Sequence, residues 1–451
     1  MLAGRYGDSR LRCEEALVVA RTVGDLHLEG QALNFLGVDL VNLGATADGL
    51  AALARAVDIG RATMRTDGTL EAILNLSEML IRVDRPEEAA ALALAGVKEA
   101  DEKGFGRGIG ASLRANAAGA LCRSGKWTAS ESLLDEGLAH ASRGEALQNL
   151  LANLAWLDLV RGRVVEAAEH LAAAKAEAHS HRVDVLPNLV GVGTELALLR
   201  GDHEGARAIV QQGLGLLAGT DSDQLRMPLL ALAARVEADA AERSRAKRWS
   251  TAEKAALLAA ERIRDAAESV PDVEALPQGM RAERVEVRAE TARAFGLADV
   301  ELWKEAGDIW ARSSQPYRFA IARYRLAEAI LRTGGKRSAA RDALKEAGGI
   351  AQSLSAAPLQ QRIGRLARRA RLVIDQLAEG PGSKPPMPAG LSRREIDVLL
   401  LVADGLTNRR IAEMLFVSDA TVATHVSHIL GKLGVRSRLE AAEVATHLDL
   451  S

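Results

Sequence analysis

Apolar, Ala/Leu-rich helical segments recur at near-constant spacing through the first half of the chain. Asn34, Asn75, Asn116 and Asn153 each lie inside one, at intervals of 41, 41 and 37 residues. A helix breaker follows each asparagine within about ten residues: Gly44, the Asp84-Arg85-Pro86 turn, Gly125 and Gly162, with Gly201 extending the series. After the breaker comes a second helical stretch with small residues, as in Glu87-Glu88-Ala89-Ala90, Glu166-Ala167-Ala168 and Gly205-Ala206. Each unit therefore reads as helix, turn, helix. One such unit cannot bury its own apolar face, and stacking many gives a continuous core, so the period predicts a solenoid.

The pattern resembles the tetratricopeptide family, with a somewhat longer unit. The resemblance implies a concave surface offered to a peptide, a protein or a small effector. The asparagine ladder fits two readings, a clamp for an extended peptide or amides that satisfy neighbouring helix ends and turns. Gly119 to Lys126 superficially suggests a phosphate loop, but its spacing is one residue too long and Trp127 stands where Ser or Thr should hold magnesium; it reads as a repeat turn. The repeats are assigned to residues 1–220. Beyond them the period weakens, and residues 221–378 read as a further helical region ending the array. There Trp303, Trp310, Pro316-Tyr317 and Tyr324 to Glu328 form the densest aromatic cluster, expected in the core. A basic run follows at Arg362, Arg365, Arg368, Arg369 and Arg371, either a solvated helix face or an auxiliary phosphate contact. Gly4 precedes Gly44 by 40 residues, so either residues 10–23 cap the array alone or the chain is the C-terminal part of a longer protein.

Residues 379–390 hold four of the eleven prolines and three glycines and read as a semi-rigid linker. A separate unit is expected at 391–451. Ser392 with Glu395 is a capping box opening its first helix. Thr407 caps a short second helix, and Ser418 caps a third of about fifteen residues, whose Val422, Val426, Ile429 and Leu433 share one face. Gly434 closes the third, and Ser437 with Glu440 is a capping box opening a fourth helix to about His447. The layout is helix-turn-helix.

The residues Leu391-Ser392, Arg394-Glu395, Gly405, Asn408, Ile411-Ala412, Leu415, Val417-Ser418, Thr421-Val422, His425, Ile429, Lys432-Leu433 and Arg438 resemble the LuxR-type (GerE-like) DNA-binding domain. The resemblance implies a scanning helix Asn408–Leu415, a recognition helix Asp419–Leu433 in the major groove and dimerisation through the fourth helix. The recognition face away from the apolar stripe carries Ala420, Ala423, Thr424 and Ser427, expected to meet base edges. All are short, and Ala423 stands where the family often has Lys, so no bidentate guanine contact is available. Arg409, Arg410, Thr421, Lys432 and Arg438 are the phosphate candidates.

Composition narrows the picture. The chain has 451 residues, 58 Lys+Arg against 60 Asp+Glu, and only 3% aromatics, which suits an all-α fold and excludes a polycation that coats nucleic acid. The C-terminal unit has seven cations and eight anions, predicting a weak monomer that needs dimerisation to bind usefully. Two cysteines, Cys13 and Cys122, form no metal cluster or disulfide framework, and no catalytic constellation, cofactor site or membrane segment is found. Repeats followed by such a unit resemble the large MalT-like LuxR regulators, here without the nucleotide-binding module. The expectation is a cytoplasmic bacterial transcriptional regulator, not an enzyme, that binds double-stranded promoter DNA as a homodimer and engages the transcription machinery. A protein or small-molecule effector at the repeats would control it. The alternative is a helical-repeat scaffold with a degenerate, weakly binding reader.

Overall fold

The computed structural model describes residues 4–141, 143–177, 186–271, 276–374, 391–415, 417–435 and 437–447. Among them every regular element is an α-helix, 22 in all. The 379–390 linker lies outside the described residues. The first eighteen helices form the array: α1 (Tyr6–Val23), α2 (Leu26–Asn42), α3 (Thr46–Ala62), α4 (Thr66–Arg82), α5 (Pro86–Glu102), α6 (Ile109–Arg123), α7 (Trp127–His140), α8 (Glu145–Arg161), α9 (Val164–Ala176), α10 (Leu186–Leu199), α11 (His203–Leu216), α12 (Asp223–Ala246), α13 (Ser250–Glu268), α14 (Gln278–Ala294), α15 (Val300–Arg312), α16 (Pro316–Arg332), α17 (Arg337–Ser353) and α18 (Ala357–Arg369). Each helix packs on the next, and α2, α4, α6, α8, α10 and α12 also pack on one another in succession. These even-numbered helices are the inner layer of the solenoid, and the pairing continues past residue 220 through α18.

The turns predicted from the breakers share one backbone device. Gly44, Gly125, Gly162 and Gly201 all adopt positive φ, and Asp84 does so at φ 61° despite its side chain. A left-handed residue reverses the chain and frees the next amide to bond back, a conformation that favours glycine. Asp84 is explained by what its carboxylate does: Oδ2 accepts from the Gly279 N–H at 2.5 Å and Oδ1 from Gln315 Nε2 at 2.8 Å. It thus caps α14 from almost 200 residues away and ties it to the start of α16.

That contact belongs to a series. Gln224 in the first turn of α12 donates to the Val41 carbonyl at the end of α2, at 2.8 Å. Gly125, after α6, lies so close to Pro316 and Leu354 that a Cβ there would come within 2.7 Å of the proline ring. Gly162, after α8, faces Ala357 and Pro358 at the start of α18. The C-terminal end of an inner helix therefore meets the N-terminal end of the helix ten places later, at α2/α12, α4/α14, α6/α16 and α8/α18. Oppositely charged ends of the helix dipoles face each other across this seam. Trp127, Trp156 and Tyr317 fill it with three edge-on ring contacts at 5.4–5.9 Å.

The asparagine ladder is an internal brace. Asn75 Nδ2 donates to Asn34 Oδ1 at 3.1 Å, Asn116 Nδ2 to the Leu74 carbonyl and Ser77 Oγ, and Asn153 Nδ2 to the Ala115 carbonyl at 3.2 Å. Each amide bonds mid-way along the neighbouring inner helix, not at a helix end. In the second half ion pairs take over this role: Arg293 of α14 reaches Asp239 and Glu242 of α12, and Arg325 of α16 reaches Glu290 of α14. Trp303 and Trp310 are buried as expected, with Trp310 Nε1 donating to Glu286 at 2.8 Å. The Gly119 to Lys126 segment is the end of α6 and its turn.

Beside the seam, Glu283 and Glu286 are buried near the half-buried Asp84 and share a cation, Arg318, which lies 2.9 Å from Glu286 and 3.4 Å from Glu283. Burial pushes the Glu283 carboxyl up to about 8, because Arg318 is better placed on Glu286 and the two neighbouring acids oppose a third negative charge. A raised acid contributes stability that is complete below its unfolded value of 4.5 and is lost as the pH climbs through about 8. Glu283→Gln is therefore expected to leave thermal stability unchanged at pH 5 and to raise it at pH 9, by on the order of 2 kcal/mol. Calorimetry at the two pH values checks this, and an equal effect at both would contradict it.

Candidate nucleic-acid interface

The C-terminal unit comprises α19 (Arg393–Ala403), α20 (Asn408–Leu415), α21 (Asp419–Leu433) and α22 (Arg438–His447). Side-chain caps set the helix starts. Ser392 Oγ accepts from the Glu395 N–H at 3.3 Å while Glu395 Oε2 accepts from the Ser392 N–H at 2.6 Å, a complete capping box. Thr407, Ser418 and Ser437 accept from the amides of Arg410, Thr421 and Glu440. Gly405 and Gly434 terminate α19 and α21 in the left-handed conformation. Val398, Leu399, Leu401, Val402, Ile411, Leu415, Val422 and Ile429 form the core with Ala441 and Ala445 of α22. Leu400 is only half-buried; α21 and α22 both cover α19, whose buried arc runs through Leu401, Val398, Val402 and Leu399.

The core side of α21 is held against α19 and α20, which leaves its other side open. Ala420, Ala423, Thr424 and Ser427, the expected base-facing residues, are all exposed. The Thr424 hydroxyl donates back to the Ala420 carbonyl at 3.0 Å, so toward solvent it offers lone pairs and a methyl group. His428, one turn beyond Thr424, is exposed on the same strip. The sequence reading does not include it, although the i, i+4 spacing from Thr424 places it there. His425 is half-buried.

The five phosphate candidates divide. Arg409, Arg410 and Thr421 are exposed. Arg410 lies 2.6 Å and Arg409 3.6 Å from Glu413 on the same helix, surface pairs that a stronger anion can displace at little cost. The Thr421 hydroxyl lies 2.8 Å from Ser418 Oγ. Lys432 and Arg438 are instead engaged within the unit. Lys432 Nζ donates to Glu395 Oε2 at 2.6 Å, fastening the end of α21 to the start of α19. The Arg438 guanidinium donates to Asn408 Oδ1 at 2.8 Å and to the Leu406 carbonyl, fastening α22 to the α19–α20 turn. Arg394 plays a matching part, donating to the Leu415 carbonyl at the end of α20 at 2.9 Å.

Residues 389–445 match the family described as bacterial regulatory proteins, luxR family. The C-terminal unit is a luxR-family helix-turn-helix domain. Among similar proteins, an uncharacterized transcriptional regulatory protein, YhcZ of Bacillus subtilis, is 49% identical over 61 residues, 14% of this chain and 28% of that protein. The DNA-binding transcriptional activator DevR/DosR of Mycobacterium tuberculosis is 37% identical over 86 residues, 19% of this chain and 40% of the relative. The oxygen regulatory protein NreC of Staphylococcus aureus is 51% identical over 55 residues, 12% and 25%. The chain thus spans between a quarter and two-fifths of these relatives. The alignment with a solved circular tandem repeat protein covers 80% of this chain and 86% of that chain at 15% identity and a TM-score of 0.20.

Within the luxR-family unit Glu395 is the most connected carboxylate. Burial raises it, but the Lys432 ammonium and the Ser392 donors outweigh burial and hold it at about 2. A lowered acid contributes stability that is present above its unfolded value of 4.5 and is lost as the pH falls toward 2. Because Lys432 is 41% exposed, solvent screening limits the pair, and Glu395→Gln is expected to cost the unit about 1 kcal/mol at pH 7. Hydrogen exchange of the 391–445 amides checks this: protection should fall at pH 7 and converge with the parent chain as the pH drops below 4.5.

Proposed function

We propose that this chain is a DNA-binding transcriptional regulator whose luxR-family unit inserts α21 into the major groove of promoter DNA. The observation that carries this reading is the exposed strip Ala420, Ala423, Thr424 and Ser427 on a helix fixed from behind by capped, core-packed neighbours. Short side chains permit close approach to the groove floor, where Ala and Thr methyls touch thymine and hydroxyls bond either base type. Arg409, Arg410 and Thr421 flank the strip as phosphate contacts, and Lys432 and Arg438 act chiefly by orienting α21 and α22. The net negative charge of the unit makes a single copy a weak binder, and pairing of two copies through α22, where Leu439 is 72% exposed, supplies the second half-site. The repeats take a protein or small effector that governs pairing and thereby the approach to the transcription machinery. The regulator has no enzymatic role and acts in the cytoplasm.

The second reading, a repeat scaffold with a degenerate reader, is favoured by the inward engagement of Lys432 and Arg438, which leaves few free cations.

Selection of genomic fragments by the purified full chain at near-physiological salt separates the two. The regulator reading expects enrichment of a two-fold-related site, and a folded chain that enriches none leaves the scaffold reading standing. On an enriched site, Thr424→Ala and Ser427→Ala should change base preference at single positions, by about 1 kcal/mol or more. Arg409→Gln with Arg410→Gln should weaken all duplexes alike and make the logarithmic salt dependence shallower by nearly two.

A further inference from the structure

The array ends on a helix whose charge is one-sided. Between Glu346 and Asp375 the sequence has no acidic residue and five arginines, Arg362, Arg365, Arg368, Arg369 and Arg371. Arg362 has a distant partner, Glu195 at 3.8 Å. Among the described residues no carboxylate pairs with the other four, in a chain where most arginines of the array are paired. Arg365, Arg368 and Arg371 are exposed. Partial desolvation and the like charges of Arg362, Arg369 and Arg368 pull the Arg365 guanidinium below its ordinary value. Like charges gathered this closely repel, and an external polyanion relieves the repulsion while releasing its own condensed counterions.

The position of this strip selects the polyanion. Ala246 at the end of α12 packs against the core of the luxR-family unit, and Gly405 lies near Lys247. Arg369 and Lys247 are close enough to Asp404 to oppose the burial that raises its carboxyl. Asp404 caps α19 and is separated by three residues from Asn408, where α20 begins with Arg409 and Arg410. The end of α18, at Arg369, therefore lies beside the α19–α20 turn that leads to Arg409 and Arg410, and the reader, with seven cations against eight anions, has little net attraction for DNA of its own.

We propose that the arginine strip of α18 and the turn after it is a second DNA-contacting surface, which grips the phosphate backbone of duplex flanking the site read by α21 and supplies much of the non-specific affinity. This rests on the DNA-binding reading above. The strip carries no base specificity. It makes the repeat array a participant in DNA binding.

The test compares the full chain with Arg365→Gln/Arg368→Gln/Arg371→Gln, measuring affinity for a random-sequence duplex of about 40 base pairs against salt concentration. Each phosphate contact contributes roughly 0.9 to the slope of log affinity against log salt, so the variant should be shallower by about two to three and weaker at low salt. Lysine at the same three positions should keep the slope, and Arg55→Gln/Arg61→Gln/Arg107→Gln, an equal loss of charge elsewhere on the array, should also keep it. An unchanged slope in the α18 glutamine variant overturns the proposal, including the case in which those arginines instead retain the chain on vesicles of anionic lipid. A parent chain that binds no duplex at any salt concentration overturns this proposal and the DNA-binding reading together. Binding by the parent with an unaffected variant overturns only the role of the strip.

Discussion

The array depends on one constraint, that the ends of α2, α4, α6 and α8 must fit the beginnings of the helices ten places later. An ordinary stack of helix pairs asks each unit to match only its neighbours. Here four successive units also meet a partner far along the chain, and the side chains at those junctions are specialised accordingly. Asp84 occupies a backbone conformation that glycine takes in the equivalent turns, because only a carboxylate there can cap α14 and hold Gln315. Gly125 cannot carry a side chain without colliding with Pro316. Trp127 and Trp156 close on Tyr317.

Much of the local architecture was legible in the sequence. The breakers fixed the turns, and each capping hydroxyl expected in the C-terminal unit accepts its amide, because capping depends on residues three apart and local spacing reports it directly. The seam was not legible. Its hydrogen bonds join residues 183, 195 and 231 positions apart, and no periodic signal records which turn meets which helix start. For the same reason the aromatic cluster near residue 310 was placed in the core without its two partners from the first half.

In the C-terminal unit, side-chain type identified the exposed strip of α21 but not the assignments of the cations. Lys432 and Arg438 look like surface charges when read along their helices, since their partners Glu395, Asn408 and Leu406 lie 37, 30 and 32 residues away. The unit thus uses three of its seven cations, Arg394, Lys432 and Arg438, as internal fasteners, which keeps the angles between its helices fixed.

The seam also changes what kind of mechanical object the array is. An open solenoid behaves as a spring, lengthening by small rotations between adjacent turns, and it can fray from either end one repeat at a time. A coil soldered to itself at every tenth helix has lost that freedom: stretching it would have to break contacts along the whole seam together. Disturbance at one repeat is therefore shared with a repeat on the opposite limb, and the two limbs should yield as a single cooperative body.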